Sequence, residues 1–227
     1  MPFDDLSDRV AAVRERVAAA VRRGGHGQDV TIVAVTKTFG PEAADAAWEA
    51  GLHDVGENRV QEALEKMPLV RHAVRWHLIG HLQRNKVKHL DSFHLLHSVD
   101  SERLAAAVDA FGENRGRAVD ALLQVNVVGE ETKGGVELRA VVEVARHLQG
   151  KSGLRLRGVM TMAPLDADEV TLRRCFAGAR SARDMLSAAG HPATMLSMGM
   201  SNDYEIAVEE GATHVRLGTV LFGARPT

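Results

Sequence analysis

A rhythm constrains this chain more than any single motif does. Short apolar runs, several rich in β-branched residues, recur along it, and between them lie stretches with the three-and-four spacing of amphipathic helices. The runs fall at 30–36 (VTIVAVT), 52–55 (LHDV), 76–79 (WHLI), 93–97 (FHLLH), 120–127 (DALLQVNV), 154–160 (LRLRGVM), 194–197 (TMLS) and 213–217 (THVRL). Helical patterns occupy 41–50, which Pro41 opens and Gly51 stops, then 101–111, 136–148 and 169–189. In the last, Leu172, Phe176, Ala179 and Leu186 mark a buried stripe. A further helix begins the chain, with Leu6, Val10, Val13, Val17 and Val21 on one face and Gly24 and Gly25 as its stop.

Strands alternating with helices build parallel βαβ units. Eight strands, nearly all followed by helices, in about 200 residues predict an α/β fold closed into a single (β/α)8 TIM barrel, with one extra N-terminal helix. An open doubly wound sheet is the alternative. No Pro-, Gly- or Ser-rich linker, low-complexity tract or close repeat interrupts the pattern, so one domain over 1–227 is expected.

Composition excludes some partners. Lys and Arg total 28 against 30 Asp and Glu, a formal charge of -2, which lacks the basic excess of a general polyanion binder. Cys175 is the sole cysteine, so an internal disulfide or cysteine zinc cage is impossible, which fits a reducing compartment. The acidic start MPFDDLSDRV does not resemble a signal peptide, and no uncharged apolar run reaches membrane-spanning length; a cytoplasmic location is expected.

In a barrel of this kind, functional residues lie at the C-terminal ends of the strands. The first strand ends in AVTKTFG, with Lys37 at its tip. A lysine facing a barrel mouth is partly desolvated, which favours the neutral amine that attacks carbonyls to form a Schiff base. A solvated loop lysine is the plainer reading. The seventh strand ends in LSMGMSND (196–203) and the eighth in VRLGT (215–219). Ser197, Ser201, Gly218 and Thr219 place hydroxyls and glycines on the two loops that recurrently bind phosphate in these barrels, although Ser and Gly are also ordinary turn residues. Arg216 lies within the last strand. Pointing inward, it would need a partner, either a heteroaromatic ring nitrogen or an inward carboxylate.

Other groups carry less. Asn58, in GENRVQE (56–62), fits either a ligand contact or a helix cap. His77 and His81 are four apart in WHLIGHLQRNK (76–86), but strand, turn and helix follow one another there and no HExxH glutamate accompanies them, so no metal is expected. His94 and His97 are expected on opposite faces of a strand. Arg84, Lys86, Lys88 and His89 read as a solvated helix face, and Cys175 as core.

Taken together, AVTKTFG, GENRVQE, WHLIGHLQRNK, GVMTMAP, LSMGMSNDYEIAVEEGATHVRLGTVLFGAR resemble the pyridoxal phosphate homeostasis proteins (the YggS/PROSC family) from about residue 30 to 225. The resemblance implies a barrel of the alanine racemase N-terminal type that carries pyridoxal 5'-phosphate as a covalent aldimine on Lys37. It further implies Arg216 at the pyridine nitrogen, Asn58 beside the ring, Ser201, Gly218 and Thr219 on the phosphate turns, and Ser197 as a lesser contact. Two departures are Phe39–Gly40, where Lys-Pro is commoner, and TKGG (132–135), where a Lys-Ser-Gly type string is usual.

An arginine at the pyridine nitrogen disfavours its protonation, because two cations would meet, and so weakens the ring as an electron sink. Alanine racemase adds a second domain with a tyrosine base. Here the chain stops at Thr227, soon after the eighth unit, and the sole tyrosine, Tyr204, falls on the helix after the phosphate loop. The expected role is therefore that of a monomeric, non-catalytic protein that buffers or delivers the cofactor, contributes to vitamin B6 and amino-acid and keto-acid balance, and meets apo enzymes that need the cofactor. A minimal enzyme such as a slow racemase, and a cofactor-free Schiff-base aldolase, are the alternatives.

Overall fold

The computed structural model describes residues 3–130 and 134–223. The strands are β1 (Thr31–Val35), β2 (Asp54–Glu57), β3 (Arg75–Leu78), β4 (Leu95–Val99), β5 (Val119–Asn126), β6 (Val136–Glu137), β7 (Leu154–Met160), β8 (Met195–Ser197) and β9 (His214–Leu217). They lie in the order β4-β3-β2-β1-β9-β8-β7-β5-β6, every pairing is parallel, and an added pairing of β4 with β5 closes eight of them into a barrel. The closed barrel rules out the open sheet. β6 is a two-residue appendage, with Val136 set opposite Val125.

The helices are α1 (Leu6–Gly24), α2 (Glu42–Glu49), α3 (Val60–Lys66), α4 (Glu102–Asn114), α5 (Val141–His147), α6 (Glu169–Ala188), α7 (Tyr204–Glu209) and α8 (Thr219–Phe222). α1 buries Leu6, Val10, Val13, Val17 and Ala20, and ends where Gly25 takes a left-handed φ of 70° and returns its N–H to Val21 O. It packs on α7 and on the short α8, so the extra helix covers a flank that α8 alone would leave thin. Arg23 bonds Glu205 and Glu209 across that junction. α4 and α6 are capped by Ser101 Oγ and Asp168 Oδ1, which accept the N–H groups of Leu104 and Thr171.

Boundaries differ from the sequence reading in several places, among them the fourth strand, which runs over 95–99 and not 93–97. The second strand runs over 54–57, not 52–55, and carries Asp54 and Glu57 into the barrel wall. The helix expected over 136–148 begins only at Val141, because Val136 is drawn into pairing with β5 and 138–140 form a 3-10 turn. After β3, residues 84–92 form consecutive 3-10 turns, with Val87 and Leu90 buried and the basic side chains outside.

The barrel interior is divided. Leu95, Leu122 and Met160, with Met162 and Met195, fill one part with apolar side chains. On the other side, β2, β3, β4, β8 and β9 carry the buried polar side chains of Asp54, His77, His97, Ser197, His214 and Arg216, and that half determines the site.

Candidate functional site at the C-terminal mouth

The adjacent strands β2, β1, β9 and β8 bring four strand ends together. Val33 of β1 lies opposite Arg216 of β9, which fixes Val33, Val35 and then Lys37 on the inward face of their strand. Lys37 is half-buried just beyond β1. Asn58 follows β2, and its backbone is crowded by Gly80 of the loop after β3, where a Cβ would lie 2.3 Å from Asn58 O. Only glycine permits that approach.

Ser201 lies beyond β8, and its Oγ accepts the N–H groups of Gly218 and Val220, both at 3.3 Å. The loops after β8 and β9 are thereby joined, with Thr219 exposed between the two donors. In this structure the Ser201 hydroxyl takes up both N–H groups, so they are engaged across the two loops and not presented to an open concavity. Gly199 holds the bend after β8 with a φ of 91°. Ser197 is placed differently from Ser201, Gly218 and Thr219, the other three residues expected at the phosphate. It is fully buried within β8, below the mouth, against Arg216.

Arg216 points inward and is 5% exposed. Nη1 donates to Ser197 Oγ at 2.7 Å and Nη2 to Thr161 O at 2.9 Å. Among the described residues no carboxylate pairs with it, and burial pulls the guanidinium down to about 10. Of the two partners foreseen for this cation, the inward carboxylate is not the one provided. A neutral hydroxyl and a carbonyl satisfy two of its donors, and a heteroaromatic nitrogen at the mouth fits that donor set.

Below Arg216 runs a hydrogen-bonded chain that crosses the interior. Ser197 Oγ lies 2.8 Å from His97 Nδ1, His97 Nε2 lies 2.9 Å from His77 Nδ1, and His77 Nε2 lies 2.9 Å from Asp54 Oδ1. Arg75 closes the far end with two bonds to Asp54. With both imidazoles neutral, one arrangement satisfies every contact: Arg216 donates to Ser197, Ser197 to His97, His97 to His77 and His77 to Asp54. Burial, followed by the cost of placing a positive charge beside His77 and Arg216, holds His97 well below the usual imidazole range. His214, whose ring centroid is 6.3 Å from that of His97, is pulled down to about 4, chiefly by burial. Burial opposes ionisation of Asp54, but its bonds to Arg75 and His77 win and hold the carboxyl well below its ordinary value.

His77 therefore belongs to this chain, whereas His81 bonds Asp100 at the rim, so the two do not converge on one point. His97 is interior, while His94 lies exposed just before β4, with its ring centroid 5.5 Å from that of His77. Cys175 is buried on α6. Of TKGG, only Gly134 and Gly135 lie within the described residues.

A second polar cluster went unread in the sequence. Lys66 of α3 is 7% exposed, and its Nζ donates to Thr36 O, Glu57 Oε1 and Glu62 Oε1. Thr36 Oγ1 also donates to Glu57 Oε1, at 2.7 Å. Burial pushes the Glu57 carboxyl up despite Lys66 and Thr36, which pull it down. The one legible signal was the spacing of Glu62 and Lys66, four apart on a helix. Phe39, one of the two departures, packs against Phe3 and Phe222 with centroids 6.0 and 5.4 Å away, which ties the Lys37 loop to the start of the chain and to α8.

A cavity of about 440 Å³ opens at the opposite, N-terminal end, lined by Arg14, Asp54 and Arg75 among others. Its arginines are already committed, Arg14 to Gly51 O and Arg75 to Asp54, so the converging donors at the C-terminal mouth make the better site.

A parallel barrel with an inward lysine, a buried arginine and an N–H-lined double loop at one mouth defines a class. Residues 9–226 match the family model described as alanine racemase, N-terminal domain. The chain belongs to the pyridoxal phosphate homeostasis protein family. It is 40% identical over 222 residues to the protein of that name from Aquifex aeolicus, covering 96% of this chain and 97% of the relative. With the Schizosaccharomyces pombe protein of the same name it shares 35% identity over 215 residues, covering 93% and 91%. Among solved structures, PipY of Synechococcus elongatus PCC7942 with PLP bound superposes with a TM-score of 0.85 at 34% identity, covering 96% of this chain and all of that one.

Proposed function

We propose that this protein holds pyridoxal 5'-phosphate reversibly on Lys37 and buffers or delivers it, contributing to vitamin B6 and amino-acid and keto-acid balance in the cytoplasm, without strong catalysis of its own. Lys37 is the covalent attachment point. Arg216 faces the pyridine nitrogen, Asn58 lines the ring, and Ser201, Gly218 and Thr219 receive the phosphate. Ser197 acts through Arg216. When bound, the cofactor would supply an electrophilic carbon at which a primary amine can replace Lys37, and a ring able to draw electrons from the carbon attached to that amine.

The observation that carries this reading is the buried Arg216, satisfied by Ser197 and Thr161 and by no carboxylate among the described residues. A guanidinium there holds the ring nitrogen unprotonated, which keeps the ring a weak electron sink. Tyr204 also favours storage over turnover. It is 4% exposed, and burial pushes its phenol above the ordinary value, away from a base that works near neutrality. The names of the Aquifex and S. pombe relatives and the PLP bound to PipY support the choice of cofactor. Its recipients would be apo enzymes that require it, and the protein would act as a monomer. A slow racemase is the second reading, favoured by the shared alanine racemase barrel.

Absorbance spectra of wild type and Lys37→Ala after addition of pyridoxal phosphate test the proposal. A yellow wild type and a colourless variant are expected. Equal cofactor retained by both after borohydride reduction overturns the Lys37 assignment, and racemisation or Cα-hydrogen exchange across an amino-acid panel establishes the second reading instead.

A further inference from the structure

We infer that Lys66, acting with Glu57 and Glu62, is a positioning residue for Lys37: the buried cluster grips the backbone on both sides of Lys37 from outside the barrel and turns its side chain into the mouth. This rests on the reading of Lys37 as the cofactor lysine.

Strand alternation sends Thr36 outward, toward α3, and Lys37 inward. Every polar atom of Thr36 is engaged, the N–H in the ladder with β2 and the hydroxyl and carbonyl on that outer side. Its N–H donates to Gly56 O at 3.1 Å, its hydroxyl to Glu57 Oε1, and its carbonyl accepts from Lys66 Nζ at 2.9 Å. On the other flank, Thr38 N–H donates to Glu62 Oε1 at 2.6 Å. Lys66 joins the two grips, 2.8 Å from each glutamate. One ammonium group with three donors thus ties together the residue before Lys37 and, through Glu62, the residue after it.

The backbone between the grips is strained. Phe39 N–H closes on Thr36 O at 3.1 Å, so residues 36–39 form a turn with Lys37 and Thr38 in the middle. Thr38 has a φ of 71°, whereas Lys37 is absent from the positive-φ residues. That is the pattern of a type II turn, whose third position suits glycine. A β-branched residue there persists only where its surroundings over-determine it. The Glu62 acceptor and the Lys66 anchor supply that determination. The turn is therefore set before any cofactor arrives, and Lys37 keeps its aim whether or not it carries one.

The test uses the full chain stripped of cofactor. The rate at which added pyridoxal phosphate becomes borohydride-fixed to the Lys37 peptide is followed by mass, alongside the thermal midpoint of the apo protein. Glu62→Ala removes the acceptor of Thr38 N–H at a partly exposed position and should slow capture about tenfold, the scale of one lost charge-assisted bond, with a midpoint near wild type. Thr38→Gly in the Glu62→Ala background should restore most of the rate, since glycine adopts the turn unaided. A merely structural glutamate would not be rescued there. Capture by Glu62→Ala at the wild-type rate overturns the inference, as does failure of Thr38→Gly to rescue. Should Glu62→Ala not fold, Glu62→Gln keeps an acceptor oxygen; capture within about twofold of wild type supports the inference and a larger loss overturns it. Attachment of the cofactor to another residue in wild type overturns both this inference and the Lys37 reading, whereas attachment at Lys37 with an unaffected Glu62→Ala overturns this inference alone.

Discussion

Ser197 Oγ accepts Arg216 Nη1 at 2.7 Å while lying 2.8 Å from His97 Nδ1, so the deepest cation of the mouth hangs on a hydroxyl that an imidazole holds in turn. Ser197→Ala breaks the chain at its first link. It leaves one Arg216 donor and the His97 acceptor buried without a partner, each at the desolvation cost of an unmade bond. The apo protein should lose about 1–3 kcal/mol in urea denaturation, and cofactor affinity should fall because the guanidinium loses its orientation. An unchanged denaturation midpoint would show that water or a neighbour replaces the hydroxyl.

The buried histidines of the same interior make stability depend on pH. His97 and His214 titrate below the ordinary imidazole value when folded, His214 near 4 against 6.5. Between those values the unfolded chain binds more protons than the folded one, so stability is fully present above about 6.5 and falls as the pH drops toward 4. His214 alone accounts for about 3 kcal/mol over that window. Asp54, held low by Arg75 and His77, adds a further loss once the pH falls below the ordinary carboxylate range. Urea midpoints of the apo protein from pH 7.5 to 4.5 measure this, and His214→Gln should flatten the slope. A flat profile in wild type would mean that the histidines take up protons in the folded barrel as readily as in the unfolded chain.

At the anion end, Ser201 holds two backbone N–H groups without bearing on the core. Its bonds to Gly218 and Val220 are long, 3.3 Å each, and the residue is half-buried. Ser201→Ala should cost under about 1 kcal/mol of stability and weaken pyridoxal phosphate several-fold. Competition by inorganic phosphate against the cofactor should weaken in parallel. If cofactor affinity drops while phosphate competition is unchanged, the hydroxyl contacts something other than the phosphate.

These residues also show what the sequence makes legible. The eight-strand rhythm appears in β-branched runs such as TIVAV, because strands buried on both faces leave a local signature. β2 escaped by two residues because DVGE carries its two carboxylates into the wall, and their partners come from elsewhere: Arg75 and His77 for Asp54, Thr36 and Lys66 for Glu57. Burial of a charge depends on a partner distant in sequence, and periodicity cannot see it. Lys37, Arg216 and Ser201 could be singled out because each sits at or just beyond a strand end. His97 was readable as a strand residue but not as a link between Ser197 and His77, since those three come from three different strands.

Two glycines of the loops after β8 and β9 separate folding from binding. At Gly199, φ is 91° and an added Cβ would stand 2.6 Å from Ala207 Cβ and 2.9 Å from Tyr204 Cα. Gly199→Ala therefore combines a left-handed backbone with a clash against α7, for an expected loss of about 2–4 kcal/mol. Gly218 has an ordinary φ of -117°, and its added Cβ would meet Val35 only at 3.6 Å. Gly218→Ala should fold with nearly wild-type stability, yet its methyl falls on the turn proposed to receive the phosphate, so on that proposal pyridoxal phosphate should bind at least several-fold more weakly. Thermal midpoints of the two apo variants and their cofactor titrations decide the matter. Full cofactor affinity in Gly218→Ala would move the phosphate off the loop after β9.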